Sequence, residues 1–305
     1  MCLFMPYLGE IAAVLTAVSW AATAIIFTGA SHRIGSFTMS HFRMLFCIVF
    51  LVAVHAIVFG SPVPLNMSPS NWLLLGISGL LGFFAGDAML YQSYVDISPR
   101  VGSLITNTYP IFSALLAMFV LGEILSVTEW LGIFVTLTGV VWVILEKNTA
   151  DRIVSRKHFT RGLVFALGYS LAQAASFLCA KPAMTGEHCT DPLSATLVRA
   201  IFGGAAYWIV STFSGRLKDR SAKIFDIKTM KTIAGGVVIG TTGVWLSMYA
   251  IKTIPIGIAT TLIALVPVAV IPMSAIAYKE RISWRAVIGA VVAVLGIAIL
   301  FNSKT

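Results

Sequence analysis

PIFSALLAMFVLGE at residues 110–123 and PVAVIPMSAIAYKE at residues 267–280 decide the reading of this chain. Each stretch opens on a proline, Pro110 or Pro267, and reaches a glutamate 13 residues later, Glu123 or Glu280. Beyond those glutamates the likeness continues. Gly132 and Gly139 follow Glu123 by 9 and 16 residues, and Gly289 and Gly296 follow Glu280 by the same steps. Upstream, Gly82 and Tyr91 match Gly240 and Tyr249, and Arg43 matches Arg199, all at offsets near 157. Chance supplies one or two such matches between apolar segments. This many, in order, indicates a duplication.

The repeated segments are apolar throughout. The chain is 58% hydrophobic and only 11% charged, whereas a soluble domain carries about a quarter charged residues. The mean hydropathy is +0.92. A bilayer core about 30 Å thick needs roughly 20 apolar residues per helix. Ten such runs can be traced, over 9–29, 38–59, 71–93, 101–121, 126–145, 162–183, 193–213, 232–252, 257–278 and 284–302. The expected fold class is an all-α integral membrane protein of ten transmembrane helices. Its expected organisation is a first repeat over 1–146, a basic linker over 147–161 and a second repeat over 162–305.

Five spans per repeat force the second copy to enter the membrane from the opposite side. The repeat is therefore inverted, as in secondary transporters, where the substrate site lies near the midplane between the halves. The net charge of +9 does not point to nucleic acid, because the basic residues sit in short loops between spans. Most of them fall in the odd-numbered loops. The positive-inside bias puts those loops in the cytoplasm and both termini outside. The start of the chain, Met1 to Pro6, has no basic region before the first apolar run and does not read as a cleavable signal. Cys2, Cys47, Cys179 and Cys189 form no Cys-x-x-Cys pair and have no histidines at metal spacing. No metal site and no cofactor are expected.

The stretch from Pro110 to Gly122-Glu123, repeated as Pro267 to Lys279-Glu280, resembles the end of the fourth helix in EamA-type repeats of the drug/metabolite transporter superfamily. Arg43 and Arg199 early in each second helix, and the two glycines of each fifth helix, are similar to that family too. The resemblance covers nearly the whole chain. It implies a ten-helix carrier of small organic solutes, with the third, fourth, eighth and ninth helices lining a central cavity. Lys279 departs from the pattern, which has glycine there. The motifs are structural and say little about substrate.

Ionisable groups inside spans are costly and mark function by default. Asp87, in the third run, reads either as a proton or cation site or as the ion-pair partner of Arg43. Burial disfavours leaving it unpaired. Arg199 has no matching acid, because Trp245 stands at the position equivalent to Asp87. It reads either as a carboxylate-binding group or as a side chain reaching back toward Glu187 and Asp191. Lys181 is expected to reach the interface, and Glu10 and His55 to be interfacial. Glu123 and Glu280 mark helix ends.

Polar and aromatic groups at mid-depth supply the remaining cavity candidates: Trp20, Tyr91, Asn107, Gln173, Trp245 and Tyr249, with Gln92, Ser103, Tyr109, Thr260 and Thr261 beside them. Trp20 and Gln173 hold matching repeat positions, each followed by two alanines. A cavity needs a few such groups among apolar walls, although helix–helix hydrogen bonding uses the same residue types. Pro110 and Pro267 each remove one backbone hydrogen bond. That frees the carbonyls of Thr106 and Ile263, either for solute contact or hinge motion, or as fixed kinks. Gly82 with Gly86, and Gly236 with Gly240, suit close helix contact.

The function expected is a secondary transporter of small organic metabolites, an exporter of amino acids or related compounds. A multidrug or organic-cation exporter is the alternative. No Gly-x-x-x-x-Gly-Lys-Ser/Thr loop is present to couple transport to a nucleotide. An intramembrane enzyme or a receptor is a remote reading: Phe84-Ala85-Gly86-Asp87 lacks the first glycine of the Gly-x-Gly-Asp motif. No catalytic residue is expected. The partners are a solute and the bilayer. Ten helices suffice as a monomer, and a dimer stays open. A bacterial inner membrane is the expected location.

Overall fold

In lipid every backbone N–H and C=O must be satisfied within the protein, so apolar runs of this length fold as helices. The computed structural model describes residues 7–34, 36–146, 156–186, 189–213, 227–278 and 283–302. The first repeat holds α1 (Leu8–Ile34), α2 (Ser36–Phe59), α3 (Pro69–Gly79), a π-helical stretch (Leu80–Gly86), α4 (Asp87–Thr106), α5 (Tyr109–Leu121) and α6 (Val127–Glu146). The second holds α7 (Arg156–Thr185), α8 (Pro192–Phe213), α9 (Ile227–Thr253), α10 (Ile256–Ile263), α11 (Val266–Tyr278) and α12 (Trp284–Asn302). Ten segments are long and apolar enough to cross a membrane, and they coincide with the ten runs read from the sequence. Most of the expected linker, residues 147–155, lies outside the described residues, as do Lys279 and Glu280. The last part of that linker, from Arg156, is already helical.

Each helix packs against its repeat counterpart or against the counterpart of its neighbour. The pairs α2–α8 and α6–α12 join equivalent helices, and α1–α9 and α4–α7 exchange under the repeat. The two halves are thus interleaved rather than side by side. Apolar side chains such as Ile57, Phe119, Phe134 and Val294 cover the outside, where lipid takes the place of a protein core.

The glycines of the two fifth helices explain their spacing. A Cβ built on Gly139 would collide with the backbone of Ala293, and one on Gly296 with the backbone of Thr136. One on Gly132 would lie 2.7 Å from the Leu300 side chain, and one on Gly289 2.9 Å from that of Val143. These contacts are the same pair of contacts seen twice, shifted by one repeat. At the end of α5, Gly122 adopts φ 68°, a left-handed cap that favours glycine.

The third spans differ between repeats. α9 is an uninterrupted α-helix, whereas its counterpart contains the π-helical stretch. A π turn takes up one residue more than an α turn and shifts the following side chains around the axis. The shift is visible in the neighbours. Gly82 abuts Ser176 as Gly240 abuts Thr23, at a repeat offset of 158. Four residues on, Gly86 faces Gln173 as Gly243 faces Trp20, and the offset has fallen to 157. Further along, helical hydrogen bonding continues through 95–101, yet Gly102 backs onto the ring of Tyr94. Eight residues of straight helix would separate them by about 12 Å, so the chain bends sharply there and the fourth span begins.

Candidate functional site

A cavity of about 600 Å³ lies between the repeats. Trp20, Phe27, Arg43, Asp87, Gln173 and Arg199 line it, with Phe83, Leu90, Tyr94, Tyr169, Phe177, Val237 and Val244 as largely apolar walls. A smaller space of about 280 Å³ adjoins it, sharing Trp20, Leu90, Tyr94 and Tyr169 and reaching Ser103, Asn107, Tyr109 and Pro267. These sizes suit a small organic molecule.

Asp87 enters the cavity because of the π-helical stretch. With the offset reduced by one residue, its structural counterpart is Val244, which also lines the cavity. The counterpart expected from sequence spacing, Trp245, is 40% exposed on the outer surface and is not a lining residue. That expectation is corrected: the π turn consumed one residue that a constant offset cannot register. Asp87 Oδ2 accepts a hydrogen bond from Arg43 Nη2 at 2.5 Å, and both side chains keep 21% exposure. Among the two readings left open for Asp87, the geometry favours the ion pair.

Arg199 is held differently. It is 2% exposed, so it does not reach back to the interface. Nη2 donates to Ser176 Oγ at 3.1 Å and Nη1 to Met248 Sδ at 2.9 Å. The guanidinium carbon lies 5.2 Å from the centroid of Phe83 and 5.8 Å from that of Phe177, both within cation–π range. Nε has no hydrogen-bond partner. No carboxylate among the described residues forms an ion pair with it.

Pro110 and Pro267 stand at helix starts and not at mid-helix, unlike Pro182 in α7 and Pro272 in α11. The chain breaks at Asn107–Thr108 and again at Ala264–Leu265, and Pro110 and Pro267 follow in the first turns of α5 and α11. Here proline's missing N–H costs nothing. The Thr106 carbonyl, expected to be free, accepts a hydrogen bond from Ser170 Oγ at 3.2 Å. Ile263 lines the smaller cavity, and the repeat counterpart of Ser170 is Ala17, which has no hydroxyl. Asn107 lines that cavity but donates to Ser103 O at 2.8 Å. Tyr109 Oη donates to Thr260 O at 3.0 Å, tying the two broken spans together.

Asn107 lines only the smaller space, whereas Trp20, Gln173, Asp87, Arg43 and Arg199 converge on the cavity. Tyr249 packs against the apolar cluster beside it and does not line it. Nothing is described of the Tyr91 side chain. Thr260 and Thr261 are buried and hydrogen-bonded within α10. The sequence reading missed Tyr94, Tyr169, Phe83 and Phe177. Tyr169 lies four residues before Gln173, one helical turn away, and that spacing was a usable signal. His55 and Glu10, near span ends as expected, are buried against protein; His55 bridges Ser61 O at 2.6 Å and Ser194 Oγ at 3.0 Å.

Two further ion pairs lie toward opposite faces of the bundle, and neither lines the cavity. Toward the face where α1 begins, Lys181 Nζ meets Glu123 Oε1 at 2.5 Å. Lys181 also donates to Ile254 O at 2.8 Å, and Glu123 Oε2 accepts from Ile256 N at 2.8 Å. The repeat counterpart of Ile256 is Pro99, which has no N–H to give. Lys181 thus reaches the helix-end layer, as expected, but is paired there and largely buried. An apolar cluster including Ala180, Met184, Ile258 and Leu262 fills the space behind this pair. Toward the opposite face, Asp96 accepts from Arg161 Nε at 2.7 Å and Nη2 at 2.5 Å. Those Arg161 bonds hold the Asp96 carboxyl below its ordinary range. Among the described residues no group of three or more potential metal ligands occurs.

Ten spans, an inverted duplication and a central cavity define a multi-pass membrane transporter of small solutes. Comparison with known proteins agrees. The EamA-like transporter family model matches residues 7–145 and 160–302, and the chain belongs to that family. It is 26% identical over 284 residues to a protein of Archaeoglobus fulgidus named an uncharacterized transporter, covering 93% of this chain and 94% of that one. It is 25% identical to the uncharacterized transporter YyaM of Bacillus subtilis, over 63% of each chain. A shorter match, at 25% identity over 38% of this chain and 34% of the other, is to UDP-galactose transporter homolog 1 of Saccharomyces cerevisiae. A solved crystal structure shares the fold, with a TM-score of 0.74 at 16% identity and 95% of each chain covered.

Proposed function

We propose that the chain is a secondary transporter that exports amino acids or related small organic metabolites by alternating access. The observation that carries this reading is the central cavity, walled by both repeats and containing Asp87, Arg43, Arg199, Trp20 and Gln173. In this arrangement the face where α1 begins is sealed by the Lys181–Glu123 pair and the apolar cluster behind it. A carrier must also populate the reverse arrangement, and the inverted repeat supplies two related packings for that purpose. No nucleotide loop is present, so the driving force is an ion gradient or the solute's own gradient. A monomer suffices for this, with a dimer left open, in a bacterial inner membrane with both termini outside. A relative named as an inner membrane transporter, YhbE of Escherichia coli, supports that location.

The test is solute counterflow into proteoliposomes, screening amino acids and organic cations with and without a pH gradient. Flux stimulated by the gradient and lost in a folded Asp87→Asn protein supports coupling at Asp87. Flux unchanged by that substitution leaves Asp87 as a structural partner of Arg43. Absence of flux for every solute defeats the reading.

A further inference from the structure

We infer that Arg199 is the anchor for a carboxylate on the transported solute, an assignment that rests on the transporter reading above. A buried guanidinium is strongly disfavoured unless an anion or good acceptors satisfy it. Arg199 has a serine hydroxyl, a thioether sulfur (a weak acceptor) and two aromatic faces, and its Nε has no hydrogen-bond partner. Its repeat counterpart Arg43 is neutralised by Asp87. The charged groups lining the cavity, Arg43, Asp87 and Arg199, therefore sum to one excess positive charge.

The rings of Phe83 and Phe177 lie 5.2 and 5.8 Å from the guanidinium carbon, and Ser176 holds one end of the fork. A planar, oriented fork matches a carboxylate in two parallel hydrogen bonds, which a point charge would not require. Gly82 leaves the room: a Cβ there would lie 3.2 Å from Arg199 Nη2. The walls beyond are apolar, with Trp20, Phe27, Leu90, Val237 and Val244, so the rest of the solute is at least partly apolar. Gly82 and Asp87 are five residues apart on one segment, about 7 Å of helical rise. A carboxylate at Arg199 thus leaves a solute of amino-acid size within reach of the Arg43–Asp87 pair.

The test measures binding to the purified full-length protein in detergent by isothermal titration calorimetry, using matched probes. L-phenylalanine is compared with L-phenylalaninamide, and 3-phenylpropanoate with 3-phenylpropanamide; phenethylamine serves as the cation. At least one carboxylate is expected to bind tenfold or more tighter than its own amide. Arg199→Gln should abolish that preference, and Arg199→Lys should keep part of it. The wild-type comparison needs no variant, so misfolding of Arg199→Gln does not shelter the proposal. Equal binding of acid and amide, preference for the amine, or a preference that survives in folded Arg199→Gln overturns the assignment. A solute found by counterflow to lack a carboxylate also overturns it while leaving the transporter reading intact. Neither binding nor flux for probes of any charge defeats both.

Discussion

The third spans of the two repeats began as the same sequence and now do different things. α9 is straight and presents Val244 and Ser247 to the cavity. Its counterpart takes up one residue more through Leu80–Gly86 and presents Asp87 and Leu90. Without that π turn, Asp87 would occupy the angular position of Trp245, on the outer surface. The second helices diverge to match. Arg43 has a carboxylate partner, and Arg199 has a sulfur, a hydroxyl and two rings. A duplicated scaffold acquires chemistry where its copies stop being equivalent, and here a change of helical register carries that divergence.

Register supplies the largest expected effect on transport. Deleting Ala85 removes the extra residue and lets Gly82 and Asp87 keep their faces on an ordinary α-helix, so counterflow should stay within about fivefold of wild type. Deleting Thr242 at the same depth of α9 turns Ser247 and Met248 by about 100°, which removes the Met248 contact to Arg199. Flux should fall at least about a hundredfold, roughly 2.7 kcal/mol on the barrier. Equal sensitivity to the two deletions would break the comparison.

The arginines come next. Asp87→Leu removes the carboxylate that pairs with Arg43 and should cost about 3–5 kcal/mol of stability, most of it recovered by the double change Arg43→Met with Asp87→Leu. Arg199→Met strands no carboxylate, and its melting temperature in detergent should equal or exceed that of the wild type. A large loss there would mean that the Ser176, Met248 and ring contacts already satisfy the Arg199 charge without a solute.

A smaller effect is expected at the seal. Lys181→Met should raise thiol labelling of a Phe177→Cys probe from the side of the α1 start by about tenfold, equivalent to about 1.4 kcal/mol of population shift. Unchanged labelling would mean that the apolar cluster alone closes that face. The smallest effect is at Asp96. Its carboxyl is held below the ordinary range by Arg161, so the pair stabilises the fold above the ordinary carboxylate range near pH 4. That stability is lost only as pH falls through the lowered value. Between pH 5 and 8 the contribution should be flat. Half-exposed Arg161 makes Arg161→Gln the mildest of these changes by thermal melting.

Span number, helix class and the duplication were legible because lipid forces apolar runs into helices and the repeat writes each landmark twice. The glycines of the fifth helices were legible as a spacing, though not as a contact. The site was legible in part. Asp87, Arg43, Arg199, Trp20 and Gln173 stand out as polar or aromatic groups in apolar runs. Trp245 was misplaced because a constant offset cannot register a π turn. Arg199 was ambiguous because depth in the sequence does not show whether a long side chain turns inward. Lys181 and Glu123 lie in different repeats, at helix ends where charge is ordinarily solvated, so their pairing was invisible.

The α6–α12 contact has a consequence for assembly. Gly139 against Ala293 and Gly296 against Thr136 are one contact read in both directions, which makes the surface isologous, as in a twofold dimer. A lone five-helix unit bearing that face would complete it only with a copy inserted upside down. Two separate chains would then depend on loop charge to settle in opposed orientations, whereas joining them end to end makes the opposed insertion a property of a single polypeptide.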